Sequence, residues 1–260
     1  MMNSLWISKT GMQAQQNQLD VISNNMANVS TNGFKRSTAV FEDLMYQNLR
    51  QVGAAADEQN QLPTGLQLGL GVRTVATSRS FTQGSLQQSG NQLDLAVNGN
   101  GFLQVTMPDG TTGYTRDGSL KLDAQGRIVT SGGLPLANDI TIPPEAQNIT
   151  VSPDGVVSVK LPGNATPQQV GNIELASFIN PGGLEPLGQN LFGETVASGA
   201  PNNAAPGTAG MGSLMQGYVE TSNVNVVQEL VTMIQTQRAY EMNSKAIQTS
   251  DQMLQRLSQL

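Results

Sequence analysis

The chain contains no cysteine and no histidine. Without thiols there is no thiolate nucleophile, no disulfide and no zinc–thiolate site. Without imidazole there is no histidine triad, no histidine metal site and no histidine pH switch. Charge is also scarce: 12% of the 260 residues are charged, for a net charge of -6. Such an acidic, weakly charged chain is a poor nucleic-acid surface, which needs clustered Lys and Arg. Aromatics number six Phe, four Tyr and one Trp, too few to suggest a sugar-stacking face. No apolar run approaches the length of a membrane helix. The opening residues, MMNSLWISKTGMQAQQNQLD, lack the continuous apolar stretch and small-residue cleavage signal of a conventional signal peptide. A chain of this kind that leaves the cytoplasm needs another route.

What remains is polar and uncharged, with Gln, Asn, Ser and Thr in excess. Two periodic segments stand at the ends. Leu5, Met12, Leu19 and Met26 recur at seven-residue spacing, with Ile22 and Val29 on a second line three residues further on. This heptad-like stripe predicts a helix over residues 3–28, about 39 Å long, capped by Asn3 or Ser4. Asn28-Val29-Ser30-Thr31-Asn32-Gly33 is a cluster of cap and turn residues that stops it. Such a helix either docks on its own domain or pairs with another helix.

The far end favours pairing. From Val224 to Leu260 no Gly or Pro interrupts the chain. One line of positions runs Val226, Leu230, Met233, Gln237, Tyr240, Ser244, Ile247, Asp251, Leu254, and a neighbouring line runs Ala239, Met242, Ala246, Thr249, Met253, Leu257, Leu260. A helix of about 55 Å is expected, capped by Asn223 or Asn225. Its seam mixes Gln, Ser, Thr and Asp with Leu and Ile, so it is poorer than the core of a stable coiled coil. Long helices with weak stripes are marginal alone and gain order when several neighbours bury them together. Both arms are expected to be loose in the monomer and ordered in an assembly. A two-helix hairpin inside one subunit is compatible with this.

Between the arms the pattern changes to short alternating strands and glycine turns. Residues 93–97, 102–105, 112–115, 120–122, 127–129, 149–151, 156–159 and 172–178 read as strands. Asp109-Gly110, Asp123-Ala124-Gln125-Gly126 and Ser152-Pro153-Asp154-Gly155 read as turns. No strand–helix alternation occurs, so a parallel α/β sheet is not expected. The expected fold is mixed: long N- and C-terminal α-helices forming a coiled-coil-like arm, and a central, mainly antiparallel all-β domain. The expected division is 1–47 N-terminal helical arm, 48–71 extended insertion or hairpin, 72–90 connector, 91–192 β domain, 193–216 return linker and 217–260 C-terminal arm. The 48–71 segment, polar and Gly-rich with alternating leucines, reads as a flexible connector or as a hairpin that orders against neighbours.

No chemistry emerges. Asp94, Asp109, Asp117, Asp123 and Asp154 sit near glycine turns, where Asp bonds backbone amides. Asn98-Gly99-Asn100-Gly101 has no lysine or helix behind it to make a phosphate loop. Ser119 and Lys121 share only a spacing, and Met233, Met242 and Met253 read as soft packing. No catalytic, cofactor-binding or metal-ligating residue is expected, and an enzyme is not.

Three segments carry a resemblance. Ala27-Asn28-Val29-Ser30-Thr31-Asn32-Gly33-Phe34-Lys35 resembles the ANxxTxGFK signature of flagellar axial proteins. Ser222-Asn223-Val224-Asn225 with Glu229 through Glu241 resembles their C-terminal signature. Asn98-Gly99-Asn100-Gly101-Phe102 and Tyr114-Thr115-Arg116-Asp117-Gly118 are similar to the rod and hook group. The resemblance covers essentially the whole chain. It implies export unfolded through the flagellar export apparatus and helical addition to copies of itself around a channel. It also implies contacts with proximal rod subunits, hook protein and the peptidoglycan and outer-membrane ring proteins, in a rod that spans the periplasm. The length and the 48–71 insertion point to the distal part of that rod, where the insertion is associated with stiffness. Assembly contacts are expected from Leu5, Met12, Leu19, Ile22 and Met26 on one arm, and from Leu230, Met233, Tyr240, Ile247, Met253 and Leu257 on the other. Asn28, Thr31, Gly33, Phe34, Lys35, Asn223, Asn225, Arg238 and Tyr240 carry the family motifs. The competing readings are another rod or hook subunit, a secreted enzyme, or a secreted wall-binding β module.

Overall fold

A computed structural model of the chain describes residues 2–50, 55–57, 60–61, 64–163 and 166–257. The chain divides into two compact units, one made of the two ends with residues 37–78, the other of residues 27–36 with 79–224.

The first unit holds both long helices, α1 (Met2–Ala27) and α2 (Val226–Leu257). Their 26 and 32 residues correspond to about 39 and about 48 Å. Asn225 caps α2: its Oδ1 accepts from the amides of Val227 and Gln228 at 3.0 and 3.3 Å. The helices pack against each other. A Cβ on Gly11 would lie 3.0 Å from Asn243 Nδ2, and Asn25 Nδ2 donates to Glu229 Oε2 at 3.3 Å. As α1 advances from Gly11 to Asn25, its partner on α2 moves back from Asn243 to Glu229, so the pair is antiparallel.

Beside the helices runs a long two-stranded ribbon. Ser37–Asp43 pairs with Val72–Arg79. Tyr46–Arg50 pairs antiparallel with Leu66–Gly69, and Ala55–Asp57 with Asn60–Gln61. It touches α1 through Asn17 Nδ2, which donates to Thr74 Oγ1 at 2.9 Å. Gly71, at φ +117°, lies so close to Thr10 that a side chain there would collide with its hydroxyl. Of the 48–71 segment, residues 51–54, 58–59 and 62–63 lie outside the described residues, as does Leu260.

The second unit is β-structure. Its main sheet has six strands in the order Glu185–Gly188, Leu191–Gly193, Thr112–Thr115, Phe102–Thr106, Leu175–Ser177, Asn202–Ala204, and every neighbouring pair is antiparallel. Asn148–Val151, Val156–Lys160 and Gln168–Asn172 form a three-stranded antiparallel sheet. Leu120–Leu122 and Ile128–Thr130 make the hairpin expected across Asp123–Gly126. Strand Phe102–Thr106 is buried on both faces. Alternation sends Leu103 and Val105 into an aliphatic core with Val157, Val159 and Leu175. Phe102 goes to the other side, into an aromatic cluster with Tyr114, Phe178 and Phe192.

Two stretches differ from the sequence reading. Residues 172–178 are not one strand: the chain leaves the three-stranded sheet at Asn172 and enters the main sheet at Leu175, a break that a run of alternating residues does not reveal. Residues 193–216 contain Asn202–Ala204 on the edge of the main sheet and Ser213–Gln216 paired with Leu95–Asn98. Small polar residues give an edge strand no periodic signature, because little of it faces a core.

Candidate functional site

In the β unit, the motif segments that lead out of α1 and towards α2 converge on one carboxylate. Thr31 and Asn28 make the turn, with Thr31 Oγ1 donating to Asn28 Oδ1 at 3.2 Å. Gly33 follows at φ +70°, and a Cβ on it would lie 2.6 Å from the Asp117 amide nitrogen. Only glycine fits, both for its backbone and for its neighbour. The Gly33 amide donates to the Glu220 carbonyl at 2.8 Å, and Phe34 is half-buried. Two residues on, the Lys35 ammonium reaches Glu220 Oε1 at 2.6 Å with both side chains fully buried. It also donates to the Thr82 carbonyl at 2.8 Å.

Glu220 is saturated. Its Oε1 takes the Gly84 amide at 2.8 Å, and its Oε2 takes Arg116 Nη1 at 3.3 Å. Arg116 Nη2 donates to the Gly99 carbonyl at 2.8 Å, and the guanidinium lies 5.2 Å from the Phe102 ring centroid. Burial pulls the Lys35 ammonium below its ordinary range, with Glu220 opposing the shift and Arg116 adding to it. Burial likewise pulls Arg116 down, opposed by Glu220. Asn223 completes the crossing: its Oδ1 accepts from the Arg36 amide at 2.7 Å, and its Nδ2 donates to the Ser80 carbonyl at 2.9 Å.

In the helical unit, the buried line is polar. Among the described side chains of α2, those buried are Glu229, Thr236 and Ser250. With half-buried Asn243 they fall at strict seven-residue steps. On α1 the matching steps are Ser4, Gly11, Gln18 and Asn25, and register sets Gln18 opposite Thr236. Buried Ala14 and Ile22 flank this line. Small and polar residues let the helices approach closely and fix register at a cost in stability.

The apolar side chains of α2 face elsewhere. Val227 is 69% exposed, Val231 and Ile234 50%, and Leu230 43%. These residues sit at spacings of one, three and four, a continuous stripe on one face. Tyr240, Met242 and Met253 are exposed further along, and Trp6 is exposed on α1. The ribbon adds Met45, Tyr46, Leu49 and Leu66, all exposed. A two-stranded ribbon with so little burial is not stable by itself in water.

The expected assembly residues are thus placed as follows. Leu5, Met12, Leu19, Met26, Met233 and Ile247 are half-exposed, Ile22 is buried, and Leu230, Tyr240 and Met253 are exposed. Arg238 is exposed on α2, and the Leu257 side chain lies outside the described residues. Glu220 and Asn25 were not singled out from sequence, and Glu229 and Arg116 were quoted only as parts of motifs. A signal existed. Charges are rare in this chain, and the seven-residue repeats of small polar residues on both arms were open to counting.

Among the described residues, no group of three or more His, Cys, Asp or Glu could hold a metal ion.

Comparison with known proteins agrees along the chain. A family described as flagella basal body rod protein matches residues 5–35. The D1 domain of flagellar hook protein FlgE/F/G matches residues 96–159, and the C-terminal region of flagellar basal body rod FlgEFG proteins matches 215–260. The flagellar basal-body rod protein FlgG of Buchnera aphidicola subsp. Schizaphis graminum is 58% identical over 260 residues, covering 100% of both chains. That of Caulobacter vibrioides is 49% identical over 100% of this chain and 99% of its own. That of Bacillus subtilis is 38% identical over the same shares. Alike from end to end to relatives of matching length, the chain belongs to the flagellar basal-body rod protein family.

Proposed function

We propose that the chain is a structural subunit of the distal rod, polymerising helically with copies of itself into a stiff hollow shaft that carries torque to the hook. Proximal rod subunits meet it at one end and hook protein at the other. The peptidoglycan and outer-membrane ring proteins surround it in the periplasm, and the export apparatus delivers it. The expected division of labour assigns the terminal arms to the inner wall, the β domain to the outer layer and the 48–71 insertion to stiffness.

One observation carries this reading. The helix pair buries a polar seam and leaves its apolar stripe at Val227, Leu230, Val231 and Ile234 facing solvent. Each such side chain, fully buried, contributes about 1.5–3 kcal/mol, which is available only when a neighbour covers it. A subunit built to stay single would turn that stripe inward.

Electron microscopy of the purified chain at rising concentration tests the reading. Filaments are expected above a threshold concentration. Leu230→Asp should raise that threshold at least tenfold and leave the monomer's circular dichroism unchanged. Filaments that form equally well from Leu230→Asp, or none from the parent chain at any concentration, would count against it.

A further inference from the structure

The buried cluster at the crossing holds two cations and one anion. Lys35 and Arg116 both point at Glu220, and all three side chains are at most 4% exposed. In chain order the cations come first and the carboxylate comes 104 residues after Arg116. A chain that emerges N-terminus first therefore presents both cations before the one counter-charge that they share among the described residues exists. We propose that Glu220 is the closing latch of the β unit: until strand Tyr218–Glu220 docks, burying Lys35 and Arg116 is prohibitive, so the unit stays open and closes only when the C-terminal segment arrives.

The contacts support closure rather than a single strut. The Glu220 carboxylate takes the Gly84 amide as well as both cations. Its carbonyl takes the Gly33 amide, and its strand pairs with Leu86–Gln88. One residue therefore ties together the segment leaving α1, the 79–88 segment, Arg116 and the strand that leads back towards α2. A Cβ on Gly84 would collide with the Thr221 carbonyl, so the segments meet at backbone contact. An uncompensated charge of this kind is among the most expensive things a fold can bury, whereas an apolar replacement of matching shape is tolerated. The latch is a property of the single chain and does not depend on what the chain assembles into.

Charge counting makes the test directional. Lys35→Met leaves the neutral Arg116–Glu220 pair. Glu220→Gln keeps the shape and leaves two cations unopposed. The double variant leaves one. In full-length protein, followed by denaturant unfolding and amide hydrogen exchange, Lys35→Met should lower the folding equilibrium constant of the β unit less than ~10-fold, and Glu220→Gln at least ~100-fold. The double variant should fall between them, so that Lys35→Met rescues Glu220→Gln. Exchange protection in Glu220→Gln should fall across residues 33–36, 82–88 and 97–99 together. If Glu220→Gln yields no folded protein, recovery of folding in the double variant is the readout. Losses that add in the double variant, a Glu220→Gln no worse than Lys35→Met, or a protection loss confined to 218–220 would each overturn the latch.

Discussion

At the scale of single residues, few groups in this chain are charged and buried, and those few are engaged. Lys35 closes the segment that resembles ANxxTxGFK, and in this chain it ends inside the buried crossing. The glycine permits the chain to pass against the Arg116–Asp117 backbone, and the lysine finds its carboxylate 185 residues later. Tyr114 is a second case. It is 2% exposed, and its hydroxyl lies 3.4 Å from Glu194 Oε2. Burial first, and the Glu194 charge second, push the phenol up to about 12 from 10.0. The native state therefore holds this proton more tightly than the unfolded chain does. The resulting stability is fully present below pH 10 and is lost as the pH rises through about 12. Following tyrosinate absorbance, we expect Tyr114 to ionise only as the β unit opens, and Tyr114→Phe to shift the alkaline transition to higher pH. Ionisation of Tyr114 at its ordinary pH within an intact unit would refute the assignment.

At the scale of elements, the helix pair separates two roles that sequence reading ran together. The apolar heptads were legible, and so were the end of α1 and the start of α2, because the 28–33 turn cluster and the Asn225 cap are local signals. The cap expected at Asn3 or Ser4 instead lies inside α1, which already includes Met2. Which stripe faces the partner helix was not legible from hydrophobicity, since the intrachain seam is the polar one. Gly11 and Gln18 make this testable. Gly11 already sits at the limit of approach to Asn243, so Gly11→Leu should force the helices apart and lower protection of both in hydrogen exchange. Gln18 has a buried Oε1 without a hydrogen-bond partner, and Gln18→Leu should stabilise the pair by ~1 kcal/mol. Unchanged exchange in both variants would mean that the seam lies elsewhere. The strands show a matching pattern. Hairpins with turns rich in Asp and Gly, such as Leu120–Leu122 with Ile128–Thr130 across Asp123-Ala124-Gln125-Gly126, were visible because turn chemistry is local. The ribbon strand Val72–Arg79 and the edge strand Asn202–Ala204 were not, because their pairing partners lie far along the chain and neither faces a continuous core.

At the scale of the whole molecule, the two units differ in how fully they bury their apolar side chains. The β unit carries two filled cores and a saturated ionic crossing, whereas the helical unit leaves its apolar stripe and the ribbon's aliphatic side chains in solvent. The candidate site was half legible: the motifs marked where the chain crosses itself and the polar heptads could have been counted, but Glu220 as the shared partner of Lys35 and Arg116 emerged only from three-dimensional neighbours. The central claim is that the exposed stripe of α2 is covered by other copies of the chain. A cryo-electron microscopy reconstruction of the assembled filament, at a resolution that shows side chains, tests it most directly. The account predicts Val227, Leu230, Val231 and Ile234 buried against helices of neighbouring subunits, with the Asn25–Glu229 and Gly11–Asn243 layers kept inside each subunit. A filament in which that stripe still faces solvent or an open channel would contradict it.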